Sequence, residues 1–178
     1  MDNELKTSTG ETFFFKKGIT DTQIDQLIEY AQNDETVKNF TSDAKRFASR
    51  ETFNAWRKPD AQFYTLTDEG DNLMGIIWFE ELELPEFIPT NPSTTHHLPT
   101  TKFHTTFAIR TYGKARGKGL SVPFTLKALT DLRSKIQDSG IWLATSPDNL
   151  PAVTAYKHVG FIEIGMRKDG EKIIMILR

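Results

Sequence analysis

The stretch Phe107-Ala108-Ile109-Arg110-Thr111-Tyr112-Gly113-Lys114-Ala115-Arg116-Gly117-Lys118-Gly119-Leu120-Ser121 decides how the rest of the chain is read. Its first residues alternate as a strand does. Leu120, Phe124, Ala128, Leu129, Leu132 and Ile136 then recur at spacings that share one helical face. Between strand and helix lies a turn carrying Gly117 and Gly119, with cations at Arg110, Lys114, Arg116 and Lys118. The first N–H groups of a helix have no intrahelical acceptor and favour an anion. Glycines let a ligand approach the backbone, or let the chain take positive φ. Pro123 is harmless only in a first helical turn, so the helix is expected to begin near Leu120.

Three phosphate-binding patterns compete for this turn. A P-loop needs four residues between its glycines and a Ser or Thr after Gly-Lys; only three separate Gly113 from Gly117, and Gly119 follows Lys118. A dinucleotide fingerprint needs a third glycine where Val122 stands and an acid ending the next strand, which Ile141-Trp142-Leu143-Ala144-Thr145 lacks. The third pattern is a resemblance. Arg116-Gly117-Lys118-Gly119-Leu120-Ser121 is similar to the Arg/Gln-x-x-Gly-x-Gly/Ala segment of the GCN5-related N-acetyltransferase (GNAT) superfamily, with Ser121 departing at the last position. Asn149-x-x-Ala152-x-x-x-Tyr156-x-x-x-Gly160-Phe161 resembles the same superfamily's second coenzyme segment, in the right order and with a strand between. The likeness covers Phe103 to Phe161; the N-terminal third follows by element order alone.

Composition sets the class. The chain has 178 residues, 38% hydrophobic, with 13 Phe and three Trp, which suits one folded domain. No apolar run is long enough to cross a bilayer, and Met1-Asp2-Asn3-Glu4-Leu5-Lys6 is polar, so neither a membrane nor secretion is expected and the reading is cytoplasmic. There is no cysteine, hence no disulfide frame, thiolate metal site or cysteinyl intermediate. A net charge of -2 argues against a broad nucleic-acid surface.

Glu11 to Lys16 reads as a first strand, and Thr20-Asp21-Thr22-Gln23 as a capping box opening a helix through Ile24, Leu27, Ile28 and Ala31. One or two short helices are expected between Asp34 and Pro59. A hairpin is expected about Asp68-Glu69-Gly70-Asp71-Asn72, and a loop insertion at about 80–101. Lys102 to Arg110 is the strand entering the turn. Ile141 to Thr145 is a buried strand, and Leu150 to Val159 a helix capped by Asn149 and closed by Gly160. A last hairpin turns at Asp169-Gly170. The order β, helices, β, β, β, α, β, α, β, β gives a mixed α/β domain over 1–178 with no repeat. The resemblance implies a GNAT-like acyltransferase fold, with a central, mostly antiparallel sheet and helices on both faces.

The resemblance also implies an N-acetyltransferase that passes an acetyl group from acetyl-CoA to an amine by direct attack in a ternary complex. It places Phe107, Ala108, Ile109, Arg116, Gly117, Lys118, Gly119, Leu120, Ser121, Asn149, Ala152 and Tyr156 beside the coenzyme. An acceptor ammonium must first lose a proton, for which Glu80, Glu81 and His104 are candidate bases. A backbone N–H near Phe107 to Ile109 would meet the oxyanion, and Tyr156 would protonate the departing thiolate. His96, His97 and His104 do not form a metal site on this reading, because adjacent strand residues point to opposite faces. Glu80, Glu81, Glu83 and Glu86 favour a cationic acceptor if they line the cleft. The acceptor is thus a small-molecule or peptide amine, and a homodimer stays open as an assembly. Two rival readings keep the same turn: a non-catalytic module sensing coenzyme A or a nucleotide, and a protein gripping nucleic-acid phosphates.

Overall fold

The computed structural model describes residues 3–91, 102–135 and 139–178. His96, His97 and Ile136 lie outside the described residues. Among the described residues nine strands and six α-helices make a mixed α/β fold. The strands are β1 (Glu4–Lys6), β2 (Thr12–Lys17), β3 (Gln62–Thr67), β4 (Leu73–Glu81), β5 (Phe87–Pro89), β6 (Phe103–Thr111), β7 (Gly140–Thr145), β8 (Ile162–Arg167) and β9 (Ile173–Leu177). The helices are α1 (Asp21–Asn33), α2 (Glu35–Phe40), α3 (Asp43–Arg46), α4 (Arg50–Trp56), α5 (Ser121–Arg133) and α6 (Leu150–Val159). The chain divides into two compact units, Met1–Trp78 with Ile109–Ala128, and Phe79–Ala108 with Leu129–Arg178.

In the first unit β1 to β4 are successive neighbours, with β1–β2 and β2–β3 antiparallel. Helix α1 starts where the capping box places it: Thr20 accepts the Gln23 N–H, and the Gln23 side chain accepts the Thr20 N–H. The two ends satisfy each other's orphan groups. Between Asp34 and Pro59 stand three short helices rather than the one or two expected. They are too short to persist alone: α2 is capped by Asp34 and buries Val37, while α3 and α4 border an aromatic cluster. Phe47 packs on Phe53, Trp56 and Trp78, and Trp56 on Phe63, with ring centroids 4.9–6.1 Å apart. On the other side of the unit Phe15 stacks on Tyr64 and meets Phe124 of α5 edge-on.

In the second unit the strand order is β6-β7-β9-β8-β5. Only β6 with β7 is parallel among the pairings recorded; β7–β9, β8–β9 and β5–β8 are antiparallel. Phe103, Trp142, Ile164, Ile174 and Ile176 form its core. Two features modify the expectation of an irregular insertion at 80–101. β4 continues to Glu81, and Phe87–Pro89 is a strand paired with β8. Pro89 is tolerated because β5 lies at the end of the strand order, where a missing N–H costs no ladder bond.

Candidate active site

The turn belongs to the first unit. Tyr112 precedes it, fully buried and stacked on Tyr30 with centroids 4.2 Å apart. Its hydroxyl finds no hydrogen-bond partner among the described residues, and burial pushes its pKa up. A 3-10 turn, Gly113–Ala115, follows, and α5 begins at Ser121, one residue past Leu120. Gly117 and Gly119 sit at φ 72° and 74°, the left-handed region that disfavours any side chain. A Cβ built on either meets nothing within 4 Å, so space does not require glycine here; backbone conformation does. The N–H of Arg116 is bonded to Gly113 O at 3.3 Å and that of Lys118 to Ala115 O at 3.4 Å. The N–H groups of Gly117 and Gly119 find no acceptor among the described residues. Unpaired amides at left-handed glycines, ahead of a 13-residue helix, make a main-chain donor set suited to a diphosphate.

The cations in and beside this turn are largely committed to protein carboxylates. Arg110 Nε lies 2.6 Å from Asp43 Oδ2, with Nη2 on Oδ1 at 3.1 Å and the guanidinium 5.0 Å from the Trp78 ring centre. Asp43 is fully buried and also receives Arg46 Nη1 at 3.2 Å. Arg116 grips Asp34 with two nitrogens, at 2.6 and 3.1 Å, and donates to Thr111 O at 3.0 and 3.2 Å. Lys118 Nζ is 2.8 Å from Glu11. Lys114 makes no ion pair among the described residues. The local charge excess in the sequence therefore shrinks to one ammonium, and the anion-binding capacity rests on the backbone. Asp34, Asp43 and Glu11 lie far from the turn in sequence; the one local hint is Asp34 as a helix-capping residue type.

The other candidates lie in the second unit. Tyr156, in α6, is 8% exposed, its ring edge-on to Phe107 at 6.0 Å and to Phe161 at 6.0 Å. Phe79 of β4 meets Phe107 at 5.3 Å. Alternation along each strand places Glu81 on the face of Phe79, and it places Glu80 and His104 on opposite faces to Phe79 and Phe107. The three candidate bases are thus split between two faces. Glu80 is half-buried, while Glu81 and His104 are exposed. Asn149 stands at the start of α6 but makes no side-chain cap, so its amide is not spent there; Ala152 is half-buried one turn on.

The register of β6 with β7 runs from Phe103↔Gly140 to Thr106↔Trp142, with a bulge between Phe103 and Thr105. Both strands continue past the last pair, β6 to Thr111 and β7 to Thr145, where β7 remains paired with β9 on its other edge. On its other edge, β6 accepts the Leu82 N–H at His104 C=O. The ladder with β7 thus lapses at Phe107 and Ala108, with Ile109 the next residue along.

No family model matches the chain, and no curated protein matches it. Solved structures do. The GNAT domain of S. lividans PAT is similar over 98% of this chain and 94% of its own, at 12% identity and TM-score 0.69. Spermidine N-acetyltransferase from Vibrio cholerae, solved with CoA and spermine, is similar over 92% of each chain at 15% identity and TM-score 0.65. An aminoglycoside acetyltransferase solved with coenzyme A and kanamycin is similar over 92% of this chain and 94% of its own, at 16% identity and TM-score 0.62. The chain therefore has the fold of the GNAT acetyltransferases.

Proposed function

We propose that the protein is an N-acetyltransferase that uses acetyl-CoA and an amine acceptor. The observation that carries this reading is the pair of left-handed glycines whose N–H groups stay unpaired among the described residues ahead of α5, in the segment that resembles the GNAT coenzyme motif. Bound there, acetyl-CoA would supply an acyl thioester already activated toward nitrogen. The Gly117 and Gly119 amides, with the first turn of α5, would hold its diphosphate. Lys114, the cation of the turn that makes no ion pair among the described residues, would add a positive charge. Asn149 and Ala152 would flank the chain that carries the thioester.

The N–H of Phe107, on the edge of β6 where the ladder lapses, would donate to the oxyanion as the nitrogen attacks. Tyr156 would give its proton to the departing thiolate. The proton leaving the acceptor would pass to Glu81, favoured over Glu80 and His104 because it shares the Phe79 face on which Phe107 and Tyr156 pack. With no cysteine in the chain, a direct transfer needs no acyl-enzyme on sulfur.

The test is thiol release from acetyl-CoA across a panel of amines: polyamines, aminoglycosides, lysine-bearing peptides and peptide N-termini. Acceptor-dependent release, with a matching acetylated product, supports the enzyme. Tight coenzyme binding without turnover on any amine would favour a sensing module instead.

A further inference from the structure

We propose that Asp34 is a positioning residue for the coenzyme-binding turn, acting through Arg116 to hold Gly117 and Gly119 in the conformation that leaves their N–H groups unpaired. The inference rests on the acetyl-CoA reading above and adds to it a residue from the α1–α2 junction. It also gives the arginine of the motif a job that involves no phosphate.

Arg116 immediately precedes Gly117. A guanidinium has five N–H donors, and here four are used: Nε and one Nη2 hydrogen on Thr111 O, the other Nη2 hydrogen on Asp34 Oδ2, and one Nη1 hydrogen on Asp34 Oδ1. One donor is left, so the fork that would clasp a phosphate with two parallel bonds is already closed on a carboxylate. The side chain instead staples the end of β6 to the turn, residue 111 to residue 116, and ties both to Asp34.

Asp34 is itself held from two sides. Its N–H bonds to Tyr30 O at 2.9 Å and ends α1; its Oδ1 receives the N–H groups of Thr36 and Val37 at 3.0 and 3.2 Å and starts α2. Its side chain is 13% exposed. The same Oδ1 that caps α2 also receives Arg116. A carboxylate pinned by two helices is thus a fixed post for a turn that contains two glycines. Glycine loses more conformational freedom on ordering than any other residue, so an untied turn would have to be ordered when coenzyme binds, at the expense of affinity. The tie makes that ordering part of folding.

Asp34→Asn separates the two jobs of this residue. Asparagine caps a helix about as well as aspartate, so α2 should persist, while the charge that grips Arg116 is gone. We expect its melting temperature to fall by less than that of Asp34→Ala, because the cap is kept. Its dissociation constant for coenzyme A, measured by calorimetry, should rise about tenfold, with KM for acetyl-CoA rising alongside and kcat falling by less than about twofold. Asp34→Ala, which loses the cap as well, should show the same weakened binding and a lower melting temperature. Arg116→Gln should match Asp34→Asn, and the double variant should bind no more weakly than either single one, because both remove the same tie. Since no phosphate contact is lost, the salt dependence of coenzyme affinity should stay that of wild type.

Wild-type affinity in Asp34→Asn would overturn the proposal. So would a much larger loss in Arg116→Gln together with a flatter salt dependence, which would put the guanidinium on the phosphate. A wild-type protein that binds no coenzyme A would remove the acetyl-CoA reading and this inference together; binding by wild type with no effect of Asp34→Asn removes this inference alone.

Discussion

Gly117 and Gly119 carry the binding argument in two backbone angles. An L-residue at φ near 70° costs about 1–2 kcal/mol, and no neighbour obstructs a Cβ at either position. Gly119→Ala should therefore lower stability by about that amount through conformation alone, seen by denaturant unfolding, and should weaken coenzyme binding further because the added methyl faces open space beside the amide. Tyr156→Phe keeps the packing on Phe107 and Phe161 and removes only the hydroxyl. It should lower kcat at least tenfold, or about 1.4 kcal/mol in the barrier, while KM for acetyl-CoA holds; an unchanged kcat would take the proton-donor role from this residue. Asp34 adds a pH signature. Burial alone would raise its carboxyl, but the Arg116 guanidinium and the N–H groups of Val37 and Thr36 outweigh burial and leave it below the usual carboxylate range. A depressed folded-state value contributes stability that is complete above the unfolded value and is lost as pH falls through the folded one. The stability difference between wild type and Asp34→Asn should thus be constant through neutral pH and shrink below about pH 4, as acid unfolding curves would show.

Short elements depend on what they pack against. α3 is four residues long and stands on Asp43, a buried carboxylate shared by Arg46 and Arg110 and walled by Trp78. Removing one member of a buried ionic group leaves its partners uncompensated, so Asp43→Ala should cost about 3–5 kcal/mol, measurable as a lowered unfolding midpoint. β5 depends on Gly165 in the same way: a Cβ there would meet the backbone of Ile88 and, at 2.7 Å, the ring of Phe87. Gly165→Ala should detach β5 from β8, seen as faster amide exchange at Phe87 and Ile88, with the β8–β9 pairing retained. These cases also mark what could be read from sequence. The capping box of α1, the Pro123-limited start of α5 and the Asp-Gly turn between β8 and β9 are encoded within a few residues and were legible. β1 and β5 are three-residue strands that exist through their partners, so no local pattern announces them; of the three helices after α1 the apolar spacing announced one or two, and the packing of Phe47 and Trp56 on distant Trp78 and Phe63 was not legible. In the candidate site, the glycine turn and Tyr156 are proposed from local motifs. The neutralisation of Arg110, Arg116 and Lys118 does not follow from them, because their carboxylates are remote in sequence; an isolated stretch of cations overstates the charge a ligand meets.

At the scale of the molecule, a likeness spanning nearly the whole chain at 12–16% identity fixes the architecture, and the chemistry has to come from the residues on it. On the proposed reading, main-chain amides in the first unit would serve the coenzyme's diphosphate, and a tyrosine, a strand N–H and a carboxylate in the second would serve proton and charge. The acceptor is left to the amine panel, where Glu80, Glu81 and Glu83, if they line the cleft, predict a preference for polycationic amines that fades as salt is raised, Glu86 being paired with Lys168. The central claim, that two unpaired glycine amides receive the coenzyme's diphosphate, is tested most directly by titrating 15N-labelled protein with coenzyme A and following the backbone amides of Gly117 and Gly119. The account predicts that both shift and saturate together with the calorimetric binding curve, and that adenosine 3′,5′-bisphosphate, which lacks the diphosphate link to pantetheine, moves them less. Binding that leaves both amides unmoved would contradict it.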